Sequence, residues 1–247
     1  MQLIELLWPA FVLIIFLVFI HVIFGLEIIK RGVIFTDLAI GQVAAVGMAI
    51  SIGFMDGAYQ LIFTLSFALL GALLITYATQ KVEHIEAFIG MLYALGAASI
   101  MLLLASSPQG AELFQKLSAT DILFTSIDEI YPAALLYVCV ALVMFFVYPK
   151  TTGLMRELTF FSMLALTVTS SVQLAGVLVV FVLLVAPSFI ALSQKRFTPL
   201  YLAWFSGLFL SVLALVVSYY FDLPTGYSII FFQSIAVVLA AFFMHKK

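Results

Sequence analysis

Apolar stretches of about twenty residues follow one another along the whole chain, with short polar breaks between most of them. An α-helix of that length is what crosses the hydrocarbon core of a bilayer. Of the 247 residues, 66% are hydrophobic and 9% are charged, whereas about a quarter of a soluble domain is charged. The sequence therefore predicts an all-α, polytopic transmembrane helix bundle whose apolar side chains face lipid.

The apolar runs predict about nine spans in a single transmembrane domain over residues 1–247. No stretch is polar enough for a soluble catalytic, ATP-binding or nucleic-acid-binding domain, so such domains are expected only in partner chains. The predicted spans are Leu6–Leu26, Val33–Phe54, Tyr59–Ala78, Ala87–Ala105, Tyr131–Tyr148, two within Leu158–Leu192, Leu200–Phe221 and Tyr227–Met244.

The run Leu158–Leu192 decides the number of spans. As one helix it would be roughly 50 Å long, against a hydrocarbon core of roughly 30 Å. Its most polar part, Thr167–Gln173, precedes Gly176, and this predicts a turn and two crossings. A single broken helix here would give eight spans instead.

Lysine and arginine residues, which collect in cytoplasmic loops, predict the orientation. With nine spans and the N-terminus outside, all of the ten except Lys116 lie inside, and so does the C-terminus. A single crossing of the long run would move the four most C-terminal cations outside. The cations predicted inside are Lys30, Arg31, Lys81, Lys150, Arg156, Lys195, Arg196, Lys246 and Lys247.

The stretch 106–129 is the one sizeable external loop of this topology. Within it, Leu113, Phe114 and Leu117 recur at helical spacing. This predicts a short amphipathic helix over 111–124 that lies at the outer membrane surface.

Three polar side chains in the first two spans are candidates for function, because ionisable and polar groups at membrane depth are costly. His21 lies near the inner end of the first span, where it either binds a metal or bonds to a neighbouring helix. Asp37 either contacts an ion or is a first-turn carboxylate favoured by the helix N-terminus and nearby cations. Gln42 lies roughly 16 Å past Arg31 along a helix, near mid-bilayer, where it either lines a path or joins helices.

Ser170 and Gln173 are weaker candidates for a path, and no recognisable enzyme motif accompanies any of these residues. The residues alone leave two hypotheses: a transport or channel protein, and a subunit of a membrane assembly. Polar groups at mid-depth and small residues around Gln42 favour transport.

Three stretches, in this order, resemble the membrane subunit of bacterial metal-ion ABC importers of the zinc, manganese and iron group, the ABC-3 family. The first is GVIFTDLAIGQVAAVGMAIS at 32–51, which contains Gly47. The second, at 173–191, places Pro187 eleven residues after Gly176. The third is DLPTGYSII at 222–230, with Pro224 and Gly226.

The resemblance implies partners and a location. Members of this family look like homodimers in the bacterial plasma membrane that dock cytoplasmic ATPase subunits and receive metal from an external binding protein. It also implies that no cofactor is bound and that a divalent metal ion is transported.

The sequence departs from the family pattern in the second span, where the family commonly carries Asp-x-x-x-His. Aligned on Gly47, those two positions hold Leu38 and Gln42, and Asp37 lies one residue earlier. A spacing of five puts two side chains about 140° apart around a helix. Asp37 and Gln42 are therefore not expected to share one ion. Gln is also a neutral oxygen ligand, weaker for zinc than imidazole.

The second departure is a short loop between the fifth and sixth spans, residues 149–157. In the family this loop carries a helix that touches the ATPase. The corresponding contacts here would be Gly153, Leu154, Met155 and Arg156, with Leu154 and Met155 as an apolar anchor. The alternative is that Leu154 and Met155 start the next span.

The sequence is interpreted as the permease subunit of an ATP-driven importer of zinc, manganese, iron or a metal chelate, without catalytic residues of its own. Its candidate metal contacts are His21, Asp37 and Gln42. The alternatives are a scaffold that does not transport and a secondary carrier.

Overall fold

In the computed structural model, residues 2–105, 122 and 125–243 are described. The predicted amphipathic helix at 111–124 lies, apart from Ile122, outside these residues. The described residues form helices without any β-strand, as predicted. The helices are α1 (Gln2–Arg31), α2 (Thr36–Met55), α3 (Gln60–Lys81), α4 (Ile85–Leu104), α5 (Ile127–Leu142), α6 (Gly153–Ala175), α7 (Val177–Leu192), α8 (Pro199–Tyr220) and α9 (Thr225–Phe243).

Eight of these helices are long and apolar enough to cross a membrane, and α5 reaches that length through a π-helical turn and a 3-10 turn that end at Lys150. The remaining helix, α7, has 16 residues and is about 24 Å long. The long apolar run is thus two helices, as predicted. That it crosses the membrane twice stays a prediction, as does the orientation.

The break in the long run lies at Gly176 and not within the polar stretch before it. Thr167 and Ser171 lie within α6, and their hydroxyls donate to the carbonyls of Met163 and Thr167, at 2.8 and 2.7 Å. Such bonds satisfy a hydroxyl inside a helix. Gly176 has φ +83°, a conformation that residues with a Cβ rarely adopt, so the chain turns there.

The start of α6 differs from the prediction that the sixth span begins at Leu158. The helix begins at Gly153, which has φ +55°. The amide of Arg156 donates to the carbonyl of Thr152 at 3.4 Å. Leu154 and Met155 therefore belong to the first turn of α6, as the alternative for this loop supposed.

Contacts divide the chain into two compact units, and the first comprises Met1–Gly32, Ala119–Leu135 and Leu174–Lys247. Here α1 and α9 both pack against α7 and α8. A Cβ at Gly25 of α1 would collide with the carbonyl oxygen of Leu184 in α7, and one at Gly207 of α8 would lie 2.9 Å from Pro187. Close backbone approach at small residues is how membrane helices pack.

The second unit comprises Val33–Ser118 and Leu136–Gln173, in which α2 packs against α3 and α4. Two contacts set the direction of α4 along α2. The amide of Phe35 meets Glu86 at the starts of the two helices, and Gln42 lies against Gly96 further along. The helices α2 and α4 therefore run parallel, as the predicted alternation of spans requires. α2 packs between α3 and α4, and α3 runs antiparallel to it. The single-domain organisation stays a prediction.

Candidate functional site

Asp37 lies in the first turn of α2 and its side chain is buried, with 1% of the residue exposed. Neither carboxylate oxygen has a hydrogen-bond partner among the described residues. A buried carboxylate without partners is expensive. The predicted placement in the first turn is confirmed, and the oxygens are free to accept a cation or a donor that the described residues do not provide.

Gln42 lies five residues, about 1.4 turns, further along α2 and is also buried, with 6% exposed. Its Cβ faces α4, where an added Cβ at Gly96 would approach it to 2.8 Å. On the α3 side, a Cβ at Gly47 would lie 2.5 Å from the carbonyl oxygen of Phe63. The amide oxygen Oε1 of Gln42 has no partner in the described part of the chain. Gln42 is thus packed as tightly as a residue that joins helices, and its own unsatisfied Oε1 could also contact a metal ion.

The regular helix keeps these two groups apart. α2 is helical without a break from Thr36 to Met55, so Asp37 and Gln42 point about 140° apart around its axis. Within the described residues, no group of three or more His, Cys, Asp or Glu side chains is placed to hold a metal ion. α2 therefore offers two separate oxygen contacts and not one chelating site.

His21 is fully buried in α1, in the first unit. Its Nδ1 lies 2.7 Å from the carbonyl oxygen of Leu17, four residues earlier in the same helix. This bond lies within α1 and not to a neighbouring helix, which was one of the two alternatives for His21. Its Nε2 is buried and has no partner among the described residues, so one ring nitrogen remains available.

The two path candidates on α6 differ in their surroundings. Ser170 is half-buried, and its hydroxyl lies 3.4 Å from that of Tyr137 on α5, which also lies 3.0 Å from Ser171. Gln173 is exposed. The structure thus places Ser170 in a small polar cluster between α5 and α6, and Gln173 outside it.

The segment between α5 and α6 presents apolar side chains. Leu154 and Met155 are 52% and 61% exposed. The guanidinium of Arg156 lies 4.9 Å from the ring centre of Tyr148, which is buried. Stacking on an aromatic ring limits the freedom of an arginine, so this segment offers an ordered surface with an apolar tip.

The motif residues mark turns and close contacts. Gly176 is the break between α6 and α7, and Pro187 of α7 packs against Gly207 of α8. Pro224 immediately precedes α9, and its carbonyl accepts from the amide and hydroxyl of Ser228. Gly226 is buried in the first turn of α9. These residues shape the turns and close helix contacts of the first unit.

Two polar residues of the second unit were missed. Tyr137 stands within an apolar run, and its hydroxyl alone could have indicated a buried partner. Glu86 follows a polar turn and looks like a solvated loop residue in the sequence. Its Oε1 accepts from the amide of Phe35 at 3.2 Å, and its Oε2 is buried without a partner in the described part of the chain.

Helices of spanning length and buried polar groups without partners are the features of a multi-pass transport protein. The chain belongs to the ABC 3 transport family, whose profile matches residues 3–244. The predicted family is thereby confirmed.

Individual relatives agree with this family. Over 80 residues the chain is 39% identical to the "Probable iron transport system membrane protein" of Haemophilus influenzae, a match that covers 32% of this chain and 30% of that protein. The match therefore spans less than a third of the length of that curated relative.

Two solved structures have a similar fold. PsaBC from Streptococcus pneumoniae in complex with Fab aligns with a TM-score of 0.74 at 20% identity, over 96% of this chain and 91% of that chain. An inward-facing structure described as a metal-chelate type ABC transporter aligns with a TM-score of 0.68 at 15% identity, over 95% of this chain and 85% of that chain.

Proposed function

We propose that the chain is the membrane-spanning permease subunit of an ATP-driven importer of a divalent metal ion or metal chelate. In this proposal it forms a homodimer in a bacterial plasma membrane. A cytoplasmic ATPase subunit drives it, and an external metal-binding protein delivers the cargo. Support comes from the family, from the iron transport relative and from the fold shared with a metal-chelate type ABC transporter.

The observation that carries the proposal is the presence of buried oxygens on α2 that have no partner within residues 2–105, 122 and 125–243. Asp37 and Gln42 contribute three such oxygens in a helix that is otherwise apolar or small. Keeping them there is costly in hydrocarbon unless they meet a polar species during the protein's work. Because they point in different directions, a cation would contact them in succession and not together.

The ligand chemistry of α2 favours manganese and ferrous iron over zinc as the transported ion. α2 contains neither His nor Cys, and carboxylate and amide oxygens suit harder ions better than zinc. Manganese or ferrous iron is therefore the preferred cargo in this proposal, and the free Nε2 of His21 is a candidate nitrogen contact elsewhere in the chain.

The test is Asp37→Asn in cells that depend on this chain for manganese or iron uptake. Loss of the carboxylate charge should lower uptake about tenfold or more, the scale seen when groups around a metal are lost, while the inserted amount of protein is unchanged. The matched control is Asp56→Asn, at the exposed C-terminal end of the same helix, where φ is +50° and asparagine is tolerated. Normal uptake by Asp37→Asn would remove Asp37 from the path.

The ATPase contact is proposed for the first turn of α6. The exposed Leu154 and Met155 would enter a cleft of the ATPase, with Arg156 beside them. Replacing Leu154 and Met155 with Asp should release the ATPase from detergent-solubilised complexes. Phe197→Asp, at an equally exposed aromatic residue in a different turn, should not.

The two alternatives, a scaffold and a secondary carrier, predict other outcomes in co-purification and uptake experiments. A wild-type chain that never co-purifies with an ATPase, even when co-expressed with the products of neighbouring genes, and that does not change cellular metal content would be a scaffold. Uptake that continues without ATP hydrolysis would indicate a secondary carrier.

A further inference from the structure

The start of α2 has no side-chain cap of its own. The N-cap residue is Phe35, which cannot accept a hydrogen bond through its side chain, and the hydroxyl of Thr36 bonds backward to the carbonyl of Val33 at 2.7 Å. The first amides of a helix have no partners within the helix, and they need acceptors from elsewhere. The start of α2 is therefore a place where another element has to contribute.

Glu86 contributes that acceptor from α4. Its Oε1 accepts from the amide of Phe35 across 51 positions of sequence. In a capping box, a glutamate at the third helical position reaches back to the amide of the N-cap residue. Glu86 has the same role here, but it comes from a neighbouring helix. Its negative charge also suits the positive end of the α2 dipole.

The other oxygen of Glu86 argues against a purely stabilising role. Oε2 is buried and has no partner among the described residues. A partly exposed carboxylate with one buried, unsatisfied oxygen is not the residue that maximises stability, because that oxygen carries a desolvation cost. Residues that lower stability in this way are more common where function requires a particular geometry.

We propose that Glu86 is a positioning residue that caps α2 from α4 and thereby sets the depth of the first turn of α2, where Asp37 lies. Together with the contact between Gln42 and Gly96, it joins α2 and α4 at two points, so the pair moves as one element. The effect on cargo rests on the proposed function, whereas the cap itself does not.

The cap is tested by amide hydrogen exchange of residues 33–38 in the full-length protein in lipid nanodiscs. Glu86→Ala removes the acceptor, so exchange in this segment should rise at least about tenfold, as expected for loss of a hydrogen bond to a charged group. Glu86→Gln keeps an oxygen at the same position and should restore the wild-type rate. Glu86→Asp is one methylene shorter and should behave like the alanine variant.

The control is Glu83→Ala, at an exposed glutamate one turn earlier in the chain, which should leave exchange at 33–38 unchanged. Unchanged exchange in Glu86→Ala would overturn the cap. Equal increases in Glu86→Ala and Glu86→Gln would also overturn it, since the oxygen would then not be the group that matters. If the alanine variant is not inserted, Glu86→Asp takes its place in the comparison, and equal exchange in the aspartate and glutamine variants would overturn the cap.

The positioning role is tested by metal uptake in the same variants. Displacement of Asp37 should raise KM for the metal several-fold in Glu86→Ala, and Glu86→Gln should rescue it. Equal KM values in wild type and Glu86→Ala, with raised exchange at 33–38, would overturn the positioning role and keep the cap. If the wild-type chain transports no metal, the proposed function fails, while the exchange result for the cap stands.

Discussion

The helices α2 and α7 are both buried along most of their length, but their interiors differ. α2 buries Asp37 and Gln42 with oxygens that have no partners in the described chain. α7 is apolar almost throughout, and its one buried polar side chain is Ser188. Its contacts are steric: Gly25 and Gly207 approach it so closely that a Cβ would collide or crowd.

This difference helps to distinguish a helix that only packs from one that has a role in transport, in a protein where most helices are apolar. Burial and small residues are common to both helices, so neither property identifies a transport path. Unsatisfied oxygens of a carboxylate and an amide in one helix do, because the membrane offers no water to compensate them. In the proposed function, α2 is therefore the helix that contacts cargo, whereas α7 packs the helices of the first unit against one another.

The largest expected effect concerns the orientation of α2 and α7 across the membrane. The positive charges predict that α2 ends outside, near Met55, and that α7 ends inside, near Lys195. Cysteines at these two exposed positions, in a background without Cys139, should react with an impermeant thiol reagent from opposite sides of the membrane. Labelling of both from outside would show that residues 158–192 cross only once.

The next effect is on folding. Gly25→Ala places a Cβ against the backbone carbonyl of Leu184 in α7. Backbone cannot move away cheaply, so the substitution should destabilise the protein by about 1–3 kcal/mol, measured by thermal unfolding in detergent. Gly53→Ala is the control, since no atom lies within 4 Å of its added Cβ. KM for the metal should not change in either variant, and a raised KM in Gly25→Ala would give the α1–α7 contact a role in the path.

The smallest effect is expected at Ser188. Its hydroxyl is buried and has no partner among the described residues, so Ser188→Ala removes a desolvated group without breaking a bond. Stability should stay within about 0.5 kcal/mol or rise, and metal uptake should be unchanged. A clear loss of uptake would break the contrast between the two helices.

Much of the fold could be predicted because apolar length is a strong local signal. The helices, the division of the long run and the first-turn position of Asp37 follow from it. The position of the break in the long run could not be predicted in this way, because the polarity of Thr167–Gln173 suggested that the turn lies there. Hydroxyls in a helix can bond to the preceding turn, as Ser171 does, so a polar stretch remains helical and the glycine with positive φ ends the helix.

Contacts between distant residues could not be predicted from one sequence. The bond from Phe35 to Glu86 and the cluster of Tyr137 with Ser170 join residues that no local pattern relates. For the same reason, neither alternative for His21 included its partner in the structure, which lies four residues away in α1. Gln42 was found from its depth alone, because a polar residue at mid-membrane is rare.

The central claim is that the buried oxygens of α2 contact the transported metal, and Gln42→Leu tests it most directly. The variant keeps the size of the side chain and removes the unsatisfied oxygen, so folding and insertion should be unchanged or improved. Initial uptake of radioactive manganese or iron should fall about tenfold or more, while Gln80→Leu, at an exposed position of α3, should transport normally. Wild-type uptake by a correctly inserted Gln42→Leu protein would contradict the claim and leave Gln42 as a residue that packs α2 against α4.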